Sequence, residues 1–467
     1  MKKIISTALH LSIFLTCSQS FATDYYVDNE LGNNSNSGLV GFPWENMRKV
    51  NNFNFAPGDT IHLRRGQIWQ GENINMTESG TEALPITITN YGDQALPKPV
   101  LSGAAPFDKE FTGTWDFDIY TANPSSSTDD FIGWLESAIS PNLIKADSGY
   151  LNKGISAKLQ DNGSGSPRIW TNTTMALAAD MPIALNLRFK VESGNLIFKV
   201  KNLATGNYYS QGSTWGANSA AAVFSSSTYG NWSEVRLELP NDTSMGQILV
   251  EFTADGTSYV DSVALTLSWT EHSPGIYKRA ILAGLVNGVY DIFHNNLQTQ
   301  KKTDPSLLTQ DFDWTIDATS RVLYMKYSGS LTELNNEPLL ANRDAFYHIY
   351  LGGSNLTVDG VHIEKAITGI RIANDGAIIK NSFLQDIGGD CSILAVKISG
   401  SVAVQINKAT AIDNEIIDSG CGIYFRRVDN GFVSGNIINN IRDRGHGGDV
   451  EIMGLESVTN SIIENNI

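Results

Sequence analysis

Basic residues are scarce in this chain: 33 Lys and Arg stand against 49 Asp and Glu, a formal net charge of −16 at pH 7. Such a chain lacks the electrostatic footprint of a non-specific nucleic-acid binder, and it repels polyanions at long range. An acidic substrate therefore needs a local basic patch or a bridging cation. Long apolar runs are missing as well. The one marked run, Ile4 to Cys17, is too short to span a bilayer, so no membrane partner is expected. Cysteine is nearly absent, with three in 467 residues, and a metal site built on thiolates is not expected.

What the N-terminus does contain is Lys2-Lys3, that short apolar run, and Ser20-Phe21-Ala22 before Thr23. A charged start, an apolar centre and a small-x-small ending predict a secretory signal peptide over 1–22 and a periplasmic or extracellular mature protein. Loss of the two lysines takes the formal charge from −16 to −18. The length permits two or three domains.

From Asn355 onward one pattern returns: a β-branched residue, a variable one, Gly or Asn, two more, then an apolar one. It reads Val358-Asp359-Gly360-Val361-His362-Ile363, then Ile379-Lys380-Asn381, Ile412-Asp413-Asn414, Val433-Ser434-Gly435 and Ile463-Glu464-Asn465. Turn positions 360, 381, 414, 435 and 465 are separated by 21, 33, 21 and 30 residues. Short strands that return with a fixed turn residue predict a stacked β-solenoid. Gly and Asn tolerate left-handed backbone angles, and an Asn amide can hydrogen-bond to its counterpart one coil away. Cys391 and Cys421 fall at equivalent places in successive coils, which predicts either a disulfide or two buried thiols.

Upstream, Tyr25-Tyr26-Val27-Asp28, an Asn/Ser/Gly run, Pro43-Trp44, Pro57-Gly58-Asp59-Thr60-Ile61 and Pro85-Ile86-Thr87-Ile88 follow one another. These, with Leu323-Tyr324-Met325-Lys326-Tyr327 and Asn355-Leu356-Thr357-Val358-Asp359-Gly360, resemble secreted right-handed parallel β-helix proteins of the pectate-lyase-like superfamily. The resemblance covers 23–105 and 273–467, and it implies an all-β fold with action on polysaccharide.

Between 106 and 272 the period changes. Leu185, Leu187, Phe189 and Val191 alternate with polar residues, as do Val235, Leu237 and Leu239, and Ile248, Val250 and Phe252. Alternation of this kind predicts an antiparallel β-sandwich with one buried face per sheet. Its Tyr259-Val260-Asp261-Ser262-Val263-Ala264-Leu265 ending resembles jelly-roll carbohydrate-binding modules. The expected order is opening coils at 23–105, an inserted sandwich at 106–272, and continuing coils at 273–467. Within the sandwich Trp170, Tyr208, Tyr209 and Trp215 offer either a sugar-stacking platform or core packing.

Function in a stacked fold sits in the loops that leave the stack. The longest departure in the last coils is Arg442-Asp443-Arg444-Gly445-His446-Gly447-Gly448-Asp449, which holds the only histidine after His362. Matching Ile370, Ile393, Ile423 and Val450 as inward positions places Tyr424 and Glu451 side by side on the outer face, near Arg426 and Arg427. Those groups form either solvated ion pairs or an active site.

The resemblance implies β-elimination on a uronic-acid-containing polysaccharide. Arg442, Arg444 and His446 would meet the sugar carboxylate and the C5 proton, while Tyr424, Arg426, Arg427 and Trp215 would bind substrate. Asp390, Asp449 and Glu451 would supply oxygen ligands to calcium. Two alternatives stay open: a hydrolase of the same fold and a non-catalytic polysaccharide-binding protein. The hydrolase reading rests on Gly445-His446-Gly447 and Asp390-Cys391, but Gly389 stands where a second Asp is expected. The chain stops at Ile467 inside a coil motif, which predicts a fragment or an end that self-associates.

Overall fold

The computed structural model describes residues 22–106, the strands and adjoining turns of 114–280, and residues 289–467 apart from 318, 321, 344–347, 389–390, 400–401 and 443–450. The signal-peptide reading lies outside the described residues, Ala22 excepted. The described elements are nearly all strands. None of the described helices is long and apolar enough to cross a membrane.

Three parallel sheets carry the two ends of the chain. The first runs Asp24–Val27, Thr60–Arg64, Ile86–Tyr91, Leu356–Asp359, Ile378–Lys380, Thr410–Ile412, Phe432–Ser434, Ile462–Glu464. The second runs Ile68–Gln70, Val100–Ser102, His362–Glu364, Phe383–Gln385, Glu415–Ile417, Ile437–Asn439. The third runs Ile74–Met76, Ile349–Leu351, Ile370–Ile372, Cys391–Ala395, Cys421–Arg426, Glu451–Glu456. From Ile349 on, the chain visits third, first and second sheet in rotation. One apolar side of each strand faces a shared core, in which Ile379, Leu384 and Ile393 of the three sheets are all fully buried. Alternate residues face outward, because successive side chains on a strand point to opposite faces.

The bend between first and second sheet explains the repeated Gly and Asn. Gly360, Asn381, Asp413, Gly435 and Asn465 all have positive φ, between 50° and 74°. The residues after the last four bends form a ladder. Asn414 Nδ2 donates to Asn436 Oδ1 at 2.9 Å, and Asn436 Nδ2 donates to Asn466 Oδ1 at 2.9 Å. Below them the Ser382 N–H donates to Asn414 Oδ1. The expected register is therefore wrong by one residue in the third copy. Asp413 takes the left-handed position and frees Asn414 for the ladder, since Asp and Asn both tolerate that conformation.

Cys391 and Cys421 pair in register on the third sheet and are joined by a disulfide. This resolves the alternative between bridge and free thiols.

Between the parallel strands Val100–Ser102 and Ile349–Leu351 the chain leaves the sheets and returns. Ile349–Leu351 pairs with Ile74–Met76, and Leu356–Asp359 with Ile86–Tyr91, so the departure leaves the ladders unbroken. The excursion contains the expected antiparallel sheets, one with Ile183–Ser193 between Trp232–Leu239 and Thr257–Leu267, the other with Gln247–Ala254 against Leu196–Asn202. Leu185, Leu187, Phe189 and Val191 all turn into their common core. Two four-stranded antiparallel sheets follow. One is Thr270–Ser273, Ile276–Ala280, Val322–Lys326 and Trp314–Asp317. The other joins Leu297–Gln298, Val289–His294 and Leu340–Arg343 to Ala104–Pro106.

Parallel pairing thus resumes at Ile349 rather than at 273. Leu323 and Met325 are buried while Tyr324 and Lys326 are not, a one-sided alternation that suits an antiparallel layer. Val322 belongs to the sandwich core, which therefore draws on residues beyond 272.

Candidate functional site

The third sheet turns a polar, aromatic stripe outward. Asn75, Tyr350, Arg371, Leu394, Tyr424 and Gly454 lie in register on consecutive strands. Their inward neighbours such as Ile370, Ile393 and Ile423 are fully buried. The Arg371 guanidinium carbon lies 5.9 Å from the Tyr350 ring centroid, and its Nε donates to the Val396 carbonyl at 3.4 Å.

At the upper end of the stripe the geometry tightens. The Tyr424 hydroxyl donates to Glu456 Oε2 at 2.9 Å, and Arg426 Nε lies 2.9 Å from the same oxygen. Gly454 makes room for this arrangement. A Cβ there would stand 2.1 Å from Tyr424 Cδ2 and 2.0 Å from Glu451 Oε2. Glu451 therefore leans over Gly454 against the Tyr424 ring, and its Oε2 is buried with no hydrogen-bond partner among the described residues. Tyr424 stands between two carboxylates, one beside its ring and one on its hydroxyl.

The electrostatics follow. Burial first, then the bond to Glu456 and that residue's charge, hold the Tyr424 phenol above its ordinary range, so it stays protonated. The same hydrogen bond, with help from Arg426 against a small burial cost, keeps Glu456 below the usual range for Glu and ionised. The Arg426–Glu456 pair is half exposed, so solvent screening leaves it a small part in stability.

Of the residues expected from sequence, Tyr424, Arg426 and Glu451 come together here. The route differs, however. Glu451 pairs with Cys421 and Met453 with Ile423, so Val450 is not the next inward position. The strand begins later than the periodicity suggests, and Glu451 reaches Tyr424 only across the bare Cα of Gly454. Arg427 follows the strand at φ 55°, exposed, with its N–H donating to the Glu456 carbonyl at 2.7 Å. Arg442 is exposed, and its N–H donates to the Ser419 carbonyl at 3.0 Å. Arg444, His446, Asp449 and Asp390 lie outside the described residues.

Trp215 pairs through its backbone with Tyr209 in the sandwich, and its side chain lies outside the described residues. Tyr209 itself is core, not platform.

Of the residues expected to hold calcium only Glu451 is described, and no group of three candidate ligands occurs among the described residues.

Glu456, Gly454 and Tyr350 were missed, while Arg371 stands on the outer face in line with Leu394 and Tyr424 as its spacing requires. Register is the signal that finds them, because Arg426 pairs with Glu456 once Ile423 is set against Met453. A further cluster lies on the second sheet. His362 packs on Phe383 with centroids 4.5 Å apart, its Nε2 lies 3.9 Å from Glu364, and Lys365 Nζ lies 2.6 Å from the other Glu364 oxygen. Burial pushes His362 below its ordinary pKa, and the ion pair with buried Lys365 marks a structural seam.

No protein-family model matches the chain, and no curated protein matches it by sequence. Solved structures similar to it include a Clostridium thermocellum xylanase with its carbohydrate-binding module, complexed with xylohexaose, at 14% identity and a TM-score of 0.24. That match covers 36% of this chain and 28% of the xylanase chain. A xylan-binding domain from Paenibacillus barcinonensis matches at 11% identity over 33% of this chain and 92% of its own, with a TM-score of 0.22. A lacto-N-biosidase from Eubacterium ramulus matches at 11% identity over 95% of this chain and 55% of its own, with a TM-score of 0.27.

Proposed function

We propose that the chain is an exported polysaccharide-active protein, a right-handed parallel β-helix with an inserted sandwich, and that its substrate lies along the outer face of the third sheet. The observation that carries this reading is Tyr424 set between Glu451 and Glu456, with Arg426 on Glu456. A stripe of tyrosines and arginines offers ring faces to sugar C–H groups and guanidinium forks to hydroxyls or carboxylates.

The reaction proposed is β-elimination on a uronic-acid-containing chain. Arg426, Arg427 and Arg371 meet the sugar carboxylates. A base from the 442–446 loop removes the C5 proton, the C4–O bond breaks as the C4=C5 bond forms, and the departing oxygen takes its proton from the Tyr424 phenol. The phenol suits this role because burial and Glu456 keep its proton on. A second reading is hydrolysis, favoured by the two carboxylates flanking Tyr424, since glycosidases use such a pair.

A panel of neutral and acidic polysaccharides, assayed with and without Ca²⁺, separates these readings. Unsaturated-product absorbance supports elimination, and reducing ends without it support hydrolysis. Retention on a polysaccharide gel with no cleavage supports a binding protein. No cleavage and no retention overturn the proposal.

A further inference from the structure

We propose that Lys397, at the root of a hairpin that leaves the stack beside the third sheet, reads the carboxylate of the sugar next to the one held at Tyr424. This inference rests on the sheet-face reading and adds a specificity-determining residue to it.

The coils are unequal, and the surplus is not scattered. From the end of a third-sheet strand to the next first-sheet strand, three coils take six residues each. These run from Ile372 to Ile378 (378 minus 372), from Arg426 to Phe432 (432 minus 426) and from Glu456 to Ile462 (462 minus 456). A fourth takes fifteen, from Ala395 to Thr410 (410 minus 395). Its surplus begins as an antiparallel pair, Lys397–Ser399 with Val402–Val404, in which Lys397 stands opposite Val404. The other long departure after Ile349 lies between Asn439 and Glu451, where the chain enters the third sheet. Both therefore border that sheet, one where its strands end and one where they begin. Loops that leave a rigid scaffold are where binding residues concentrate.

The hairpin root is tied to the outward stripe. Arg371 Nε donates to the carbonyl of Val396, the residue before the hairpin, and its guanidinium carries on to the Tyr350 ring. Lys397 Nζ donates to Asn374 Oδ1 at 2.7 Å, and Asn374 Nδ2 donates to the Gly352 carbonyl at 2.7 Å. Gly352 lies against Tyr350, since a Cβ there would stand 2.6 Å from Tyr350 Cε1. The ammonium is thus steadied by an amide whose own orientation is fixed, which lowers the ordering cost of meeting a ligand. Asn374 takes one of its three N–H groups. No carboxylate among the described residues pairs with it. In a chain of net charge −16, such a cation suits an anionic group of the substrate.

Position decides which one. Ala395 pairs with Phe425, so Lys397 stands one coil from the strand end that carries Arg426. Neighbouring strands lie about 4.8 Å apart, and a polysaccharide along the stack advances by about one sugar over that distance. Cations on successive coils therefore match a run of consecutive uronate units, and a single uronate among neutral sugars would leave one of them unused.

Isothermal titration calorimetry on the full chain tests this, with trigalacturonate and trimannuronate as probes and their methyl esters as uncharged controls. At least one acidic trimer should bind saturably and more tightly than its ester. Lys397→Gln should weaken the acidic trimer about tenfold or more, the loss expected for a hydrogen bond to a charged group. The ester's affinity and the melting temperature should stay unchanged, and Lys397→Arg, which keeps the charge, should retain most of the binding. If the parent binds an acidic trimer and Lys397→Gln binds it equally well, the inference falls and the sheet-face reading stands. Equal weakening of acid and ester also overturns it, because charge is then not what Lys397 reads. If the parent binds no acidic trimer, the sheet-face reading falls and takes the inference with it.

Discussion

Asn414 gives Asn436 both its backbone N–H, at 3.0 Å, and its side-chain amide, at 2.9 Å, and Asn436 Oδ1 accepts the two together. Asn436 is fully buried and donates onward to Asn466 and to the Ala411 carbonyl. Asn436→Ala would take the acceptor from the two Asn414 donors and the side-chain donor from Asn466 Oδ1 and the Ala411 carbonyl. A loss of about 2–4 kcal/mol is expected, from one to three for each group left unsatisfied. Urea unfolding checks it, with the exposed Gln94→Ala as a control that should move stability by under about 0.5 kcal/mol.

The Cys391–Cys421 bridge closes a loop of 30 residues. Chain entropy sets its contribution at about 3–4 kcal/mol. Reduction, or Cys421→Ser, should lower the melting temperature by several degrees in a scan with and without reductant. An unchanged transition would mean that packing alone holds these strands together.

His348 is completely buried, and that burial pushes its pKa from 6.5 down to about 4, against a backbone hydrogen bond with Leu101. Its Nε2 has no hydrogen-bond partner among the described residues. Below pH 6.5 the unfolded imidazole takes up a proton that the folded one refuses. The folded state should therefore be undiminished above pH 6.5 and should weaken as pH falls toward 4, by about 3 kcal/mol in all. The urea midpoint between pH 7 and pH 4.5 measures this fall, and His348→Gln should flatten it.

Tyr424→Phe removes the phenol proton but keeps the ring against Glu451. If Tyr424 protonates the departing oxygen, turnover should drop about a hundredfold or more, with little change in KM or melting temperature. Glu456→Gln should instead shift the alkaline limb of the pH–rate profile to lower pH, because Glu456 helps hold the phenol's pKa up. A variant pair that leaves cleavage untouched would place the chemistry elsewhere.

Strand alternation was legible because it depends on one residue at a time: Leu185, Leu187, Phe189 and Val191 all turned inward as their spacing required. Register was less so. Asp413 and Asn414 are both competent to occupy a left-handed bend, and only the amide ladder chooses between them. The register of the last strand was also out of reach, since Ile423 meets Met453, and this sets the partners of Tyr424 and Arg426. Glu456 was invisible because its role comes from pairing across a long loop rather than from any local pattern. The segment from 273 reads as more parallel coils for a related reason: its strands alternate like their neighbours, and only the pairing shows them antiparallel.

The excursion between Ser102 and Ile349 also orders events in time. Residues that neighbour each other across the parallel ladders are 275 apart at Ile74 and Ile349 (349 minus 74) and 262 apart at Ser102 and Glu364 (364 minus 102), whereas strands after Ile349 meet partners about one circuit away. Closing the distant pair costs more chain entropy, so the later circuits are placed to form a nucleus first. A ribosome works in the opposite direction. Ile86–Tyr91 emerges early, with one edge paired to Thr60–Arg64 and the other open until Leu356–Asp359 is made. Until then this strand is an unprotected template for any other extended chain. Of the two partners, the one made first is thus the one in need of shielding until the other arrives.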